Sequence, residues 1–309
     1  MNNKKIDMDN KFSYIRRVAK YIIGTVILAT SLSSAAFGLN KDDDGYYKIG
    51  NAFDLKVFLQ LVNNGYGPNA KGKIMCDIEF NGGSVINDGE LKVLNFEKWS
   101  PIGTYKDPFE GELISCDGET KKIKGIYLKK GNKNGNGLFG VIGKEGKVRG
   151  IELINSYIEG KDYVGGIAGI NYGEVSDCVV SNSIIRGSSC VGGNVGWNNG
   201  AMSGNCINEG TVNGKNEVGG NIGYNYGIIK GKCKNKGVII GKQNDIGGNV
   251  GCNNKKILGN CSNSGFVKGD TYIGGNIGCN NGNILGKCKN KGQIEGKNGV
   301  GKNIGWSWI

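Results

Sequence analysis

The stretch VGGNIGYN, residues 218–225, decides the fold because it belongs to a series. VGGIAG starts at Val164, VGGNVG at Val191, VGGNIG at Val218, IGGNVG at Ile246, IGGNIG at Ile273 and VGKNIG at Val300. The steps are 27, 27, 28, 27 and 27 residues, and a degenerate copy, GLFGVIG, begins at Gly137. A fixed period of this size is the mark of stacked repeats. Each unit holds three short runs separated by Gly or Asn-Gly turns; from Val218 they are VGGNIGYN, IIKGKCKN and VIIG. This predicts an all-β fold, a parallel β-solenoid of ~27-residue coils with three short strands each. Equivalent residues then stack about 4.8 Å apart. A helical repeat is disfavoured, because each of the 57 glycines would cost a helix about 1 kcal/mol.

Working outward from that stretch, other columns keep nearly the same step. Cysteine recurs at Cys178, Cys206, Cys233, Cys261 and Cys288, and asparagine two residues later at Asn208, Asn235, Asn263 and Asn290. Two further columns hold Asn171, Asn198, Asn225, Asn253 and Asn280, and Asn194, Asn221, Asn249, Asn276 and Asn303. Stacked amides can hydrogen-bond along a column, which is a structural reason for such ladders. Period-two alternation assigns the faces. In the second run, Ile229, Gly231, Cys233 and Asn235 are expected inside, which leaves Lys230, Lys232, Lys234 and Lys236 outside. The same alternation through the first run puts Val218, Gly220, Ile222 and Tyr224 inside. It puts Asn221 and Asn225 on a flat outward face with Asn194, Asn249 and Asn276. The column Ile170, Trp197, Tyr224, Cys252, Cys279 and Trp306 is large or soft, which suits an interior stack.

The remaining chain divides in two. Residues 1–38 read as a targeting segment: six basic residues lead into the apolar run YIIGTVILATSL at 21–32, with small residues for cleavage after Ala36 or Gly38. An N-terminal membrane anchor is the competing reading, but the run is short for a span of roughly 20 residues. Cleavage would remove six basic and two acidic residues and lower the net charge from +12 to about +8. Export to the surface or the medium follows, with no membrane span afterwards. Residues 39–136 read as a small α/β cap, and residues 137–309 as the solenoid. In the cap, Asn51 is a candidate helix N-cap with Asp54 in the capping-box position. Ala52, Leu55, Phe58, Leu59 and Val62 share one face, and Gly65 can end the helix. That apolar face is expected to cover the open first coil. At the other end, Trp306 and Trp308 are expected to close the last partial coil or to dock a partner.

The array is similar to the GLUG-repeat surface proteins of bacteria, named for Gly-Leu-any-Gly. The resemblance lies in VGGIAGIN at 164–171 and CINEGTVNG at 206–214. DGYYKI at 44–49, WSPIG at 99–103, PFEGEL at 108–113 and GLFGVIG at 137–143 extend it into the cap. It implies an extracellular β-solenoid of adhesin-like proteins; similar modules also lie beside zinc peptidases that cut immunoglobulin. From the second clear copy onward the motif's leucine is asparagine, at Asn194, Asn221, Asn249, Asn276 and Asn303. This is expected to turn an exposed face from apolar to amide.

Catalytic chemistry is poorly supplied. The chain has no histidine, so neither the usual nucleophilic triads nor an HExxH zinc site can be built. From Val164 onward the acids are only Glu174, Asp177, Glu209, Glu217, Asp245, Asp270 and Glu295, with no repeated acidic column. No CxxC pair points to a metal, and no cofactor or metal site is expected. Stacked cysteines fall within Cα range of a disulfide, yet parallel side chains point the same way, so buried thiols and bridges between coils both stand.

The lysines carry the binding expectation. GKCKNKG at 231–237 and 286–292 alternates with neutral or acidic coils, which places Lys232, Lys234 and Lys236 two coils from Lys287, Lys289 and Lys291. Either they form a solvated face that keeps like charges apart, or they form a basic stripe for acidic glycans or extracellular DNA, unspecific and salt-sensitive. The expected function is that of an exported, non-enzymatic adhesion or interaction protein with glycan, matrix or surface-protein partners. A structural spacer or fibre subunit is the alternative, and a polysaccharide-active β-helix enzyme the third reading.

Overall fold

The computed structural model describes residues 38–308, so the expected targeting segment lies, but for Gly38, outside the described residues. Residues 42–308 belong to one compact unit. It is a parallel β-solenoid: apart from one small antiparallel hairpin, every strand pairs in parallel with its equivalents in neighbouring coils. A coil contributes five strands, or four when the last two run together as in Val179–Arg186 and Asn205–Gly214, where the sequence suggests three. In one coil they are β1 (Asn216–Gly219), β2 (Ile222–Asn225), β3 (Ile228–Ile229), β4 (Lys232–Asn235) and β5 (Val238–Gly241). The first run breaks into β1 and β2 at Gly220-Asn221, and the second into β3 and β4 at Lys230-Gly231. The β1, β2 and β3 equivalents stack into sheets of six, seven and nine strands, and those of β4 and β5 share a sheet of thirteen.

The stacking is in register. Cys206 pairs with Cys233, Cys233 with Cys261 and Cys261 with Cys288; Asn208, Asn235, Asn263 and Asn290 follow in the same way. The 28-residue step from Val218 to Ile246 leaves the pairing intact. The parallel ladder also begins before residue 137. Tyr47–Ile49, Lys71–Ile74 and Glu112–Ser115 open the sheet that Ile228–Ile229 later joins. The cap is therefore the first part of the same stack.

Helix α1 (Ala52–Asn63) forms where the N-cap signal places it. Asn51 Oδ1 accepts from the Asp54 amide at 3.0 Å, and Asp54 Oδ2 accepts from the Gly50 amide at 2.9 Å. The acid thus reaches past the N-cap to the amide of the residue before it, so the helix start is held from both sides without the reciprocal bond to the Asn51 amide. Leu55, Phe58, Leu59 and Val62 are buried. Phe58 stands edge-on to Tyr47 and Phe109, and its ring reaches the Gly72 backbone of the first coils.

The wall formed by β1 and β2 is thin, and glycine makes it so. A Cβ on Gly223 would lie 2.4 Å from the Cys190 carbonyl carbon and the Val191 nitrogen, in the β1-type strand of the preceding coil. One on Gly219 would lie 2.0 Å from the Ile222 oxygen. No side chain fits either gap, so β1 and β2 approach backbone to backbone.

Candidate functional site

The outward asparagine face expected from alternation does not exist. Asn194, Asn221, Asn225, Asn249 and Asn276 are fully buried. The corner at Gly220-Asn221 resets the alternation, so Asn221 and Ile222 are both buried, as is Asn225 at the next turn. Asn194 Nδ2 donates to Asn221 Oδ1, Asn221 to Asn249 and Asn249 to Asn276, each at 2.8 Å, and Asn276 to Asn303 at 2.9 Å. The second Nδ2 hydrogen serves β4-type backbone: Asn194 donates to the Ile207 carbonyl, Asn221 to that of Lys234 and Asn249 to that of Ser262. Asn225 belongs to a second ladder from Asn171 to Asn280, and Asn208, Asn235, Asn263 and Asn290 form a third. These columns hold the coil and offer a ligand nothing. Only the first acceptors, Asn171 Oδ1 and Asn194 Oδ1, lack a donor among the described residues. Asn171 follows Ile142 in its column, and Asn194 corresponds to Ile167 of the preceding motif.

The cysteine column behaves as the sequence suggests. Cys178, Cys206, Cys233 and Cys261 are buried, Cys288 is half-buried, and all five are free thiols. Burial pushes the Cys178 thiol up to about 12, so it stays neutral. Opposite these thiols the lysines stand outside: Lys232, Lys236, Lys287, Lys289 and Lys291 are exposed and Lys234 half-exposed. Ser262 separates Lys234 from Lys289 in register. Among the described residues only Lys236 of the six is in an ion pair, with Glu209 at 2.6 Å.

A second cluster lies on the β1–β2 wall, where alternation alone did not find it. The residue before each Val or Ile of the repeat motif has a left-handed backbone: Tyr163, Cys190, Glu217, Asp245 and Tyr272 have φ between 47° and 63°. Its side chain meets the residue that follows the last glycine of the next coil's motif. Tyr163 meets Trp197 at 5.5 Å between ring centroids, and Tyr272 meets Trp306 at 5.4 Å, with near-equal tilts of 32° and 33°. Between these two aromatic pairs the same row holds Cys190, Glu217 and Asp245 beside Tyr224, Cys252 and Cys279. Asp245 together with Cys252 and Cys279 brings three donor atoms within 4.8 Å of one another. The column containing Trp197, Tyr224 and Trp306 is thus half-buried at those residues, while Ile170, Cys252 and Cys279 are buried.

The electrostatics of this row are unlike those of the ladders. Burial pushes the Asp245 carboxyl up to about 6, and burial followed by the Asp245 charge pushes Glu217 up. Neither carboxylate is in an ion pair among the described residues. The neighbouring Cys279 thiol and burial together push the Cys252 thiol above the usual range. Behind them Asn254 Nδ2 lies 3.7 Å from Cys252 Sγ, Cys279 Sγ donates to Asn281 Oδ1 at 3.6 Å, and Asn281 Nδ2 donates to Asn254 Oδ1 at 2.7 Å. Asn254 also donates to the Tyr224 hydroxyl.

Comparison with known proteins adds little beyond the fold. A segment of 85 residues, 26% of this chain, is 39% identical to part of a protein of Evansella cellulosilytica provisionally named a Gly-rich membrane protein. That segment spans only 10% of the relative's length. No family model matches the chain, and no solved structure matches it. Among the described residues, no helix is long and apolar enough to cross a membrane.

Proposed function

We propose that this chain is an exported, non-enzymatic β-solenoid that acts at the cell surface or in the medium as an adhesion or interaction protein. Its lysine rows are the contact surface for acidic glycans or similar polyanions. The observation that carries this reading is a set of six outward lysines, five exposed and Lys234 half-exposed, of which one is in an ion pair among the described residues. The fold places the cysteine and asparagine of GKCKNKG inside and its lysines outside, where only Lys236 is in an ion pair among the described residues. The basic start and apolar run at 1–38 support export, as does the name of the partial relative. The GLUG-type motifs support an adhesin-like role.

The reading is tested by measuring binding of the full chain to an immobilised sulfated glycan and to a neutral one across a salt series. Binding to the sulfated glycan alone, weakening steeply with salt, is expected. Replacing Lys232, Lys234, Lys236, Lys287, Lys289 and Lys291 by glutamine should remove it. Equal binding to both glycans, or none at moderate salt, overturns the polyanion reading. Release of reducing ends or unsaturated products from a glycan panel would overturn the non-enzymatic one.

A further inference from the structure

We propose that Asp245, Cys252 and Cys279 form a binding site for a thiophilic divalent cation of the Zn²⁺ class, with Glu217 or a water in the fourth position. The three donors come from two adjacent coils. Asp245 and Cys252 belong to one coil, and Cys279 sits in register above Cys252 in the next. Their donor atoms already lie within 4.8 Å of one another. Around a tetrahedral Zn²⁺, with Zn–S about 2.3 Å and Zn–O about 2.0–2.2 Å, ligand atoms stand roughly 3.5–4 Å apart. Side-chain rotation closes the difference without moving the ladder.

The surroundings favour a cation. Two carboxylates, Glu217 and Asp245, share the row with no ion pair among the described residues, although the chain carries 39 Lys and Arg. Asn254 Nδ2 donates toward Cys252 Sγ, the kind of outer partner that a metal-bound thiolate accepts from, whereas Asn281 Oδ1 accepts from the Cys279 thiol and must turn away when that thiol ionises on a cation. Tyr163–Trp197 and Tyr272–Trp306 bracket the row on both sides, which confines the polar cluster to the coils between them. A disulfide between Cys252 and Cys279 is the rival outcome, since in-register neighbours lie at bridging distance. It would consume the thiols and leave Asp245 without a partner; the cation uses all three. The interior column at Cys233 and Cys261 has the same stacked thiols with no acid beside them, and it serves as the internal control.

The test uses the full chain, reduced with a non-chelating reductant, stripped with a chelator, and titrated with Co²⁺ and then Zn²⁺. Expected are one Co²⁺ per chain, a thiolate-to-cobalt charge-transfer band, the visible bands of tetrahedral cobalt, and their loss on displacement by Zn²⁺. Cys252→Ser and Cys279→Ser should abolish the charge-transfer band. Asp245→Asn should weaken binding by about 100-fold, at the upper end of what outer partners alone cost. Cys261→Ser should change neither band nor affinity. X-ray absorption of the zinc-loaded chain should report two sulfur ligands with oxygen, a readout that holds even where a serine variant folds poorly. The proposal is overturned by absence of stoichiometric binding to the reduced chain, or by Cys261→Ser matching Cys252→Ser. It is also overturned by a Cys252–Cys279 disulfide, without metal, in protein taken from its native compartment.

Discussion

Stacking does opposite things to an asparagine ladder of this solenoid and to its acid row. In the Asn194–Asn303 column each amide is both donor and acceptor, so a copy placed one coil away satisfies it, and repetition strengthens the column. In the row of Glu217 and Asp245 the stacked groups are acceptors only, so the same repetition places like charges side by side. A repeat fold tolerates buried amides indefinitely but accepts neighbouring acids only at a cost to stability. Columns that the fold needs and rows that a ligand would use are therefore separable by chemistry alone.

The largest test of this contrast interrupts the ladder. Asn221→Ala leaves the Asn194 Nδ2 hydrogen without its acceptor, Asn249 Oδ1 without its donor and the Lys234 carbonyl without its cross-interior bond. With each orphan costing about 1–3 kcal/mol, a loss of roughly 4 kcal/mol is expected in denaturant melts. A loss under about 1 kcal/mol would show that the column is not what holds the coils. The first rung sharpens the point. Asn194 accepts from nothing among the described residues, so Asn194→Ala removes one orphan while creating two, and should cost about a third as much. Equal losses at the two positions would mean that the end of the ladder is satisfied by something else.

Much of this was legible in the sequence because period and column identity survive without knowledge of shape. The 27-residue step, the stacked Cys and Asn columns, the outward lysines and the Asn51–Asp54 helix start all follow from spacing. What was lost was phase. Alternation carried straight from Val218 to Asn225 passes through a corner that the sequence marks only as Gly220-Asn221, and the corner turns Asn221 inward. The acid–thiol row was hidden for a related reason. Its members sit seven residues apart in one coil and meet across the next, through a glycine wall whose thinness is a matter of packing. The signal available was the pair of columns themselves: Tyr163, Cys190, Glu217, Asp245 and Tyr272 against Trp197, Tyr224, Cys252, Cys279 and Trp306.

The acid row should respond in the opposite direction from the ladder. Asp245 has a carboxyl raised from 3.8 to about 6 by burial. A raised folded-state pKa favours the folded state below the unfolded value, and that advantage is lost as pH rises through about 6. In metal-free protein, Asp245→Asn should therefore stabilise at pH 7. The full shift of about two units corresponds to about 3 kcal/mol, and solvent access to this half-buried group reduces the expectation to about 1 kcal/mol. The variant should also flatten the stability profile between about pH 4 and 6. Destabilisation at pH 7 would mean that the carboxylate has a partner that stacking does not supply.

The lysine rows give the smallest effect on stability, and that is their use in the comparison. Lys232, Lys234, Lys287, Lys289 and Lys291 touch no acid in an ion pair among the described residues, and Ser262 keeps Lys234 from stacking directly on Lys289. Replacing all six lysines by glutamine removes only the Lys236–Glu209 pair, an exposed contact of the kind that contributes about 0–1 kcal/mol. It also relieves residual repulsion between coils two steps apart, which ordinary salt already screens. The two changes oppose each other, so denaturant midpoints should differ little while binding to a sulfated glycan is lost. A marked stabilisation on removal of the lysines, with glycan binding unchanged, would reassign them to keeping neighbouring edges apart. The surface-contact role would then have to rest on a different face of the coil.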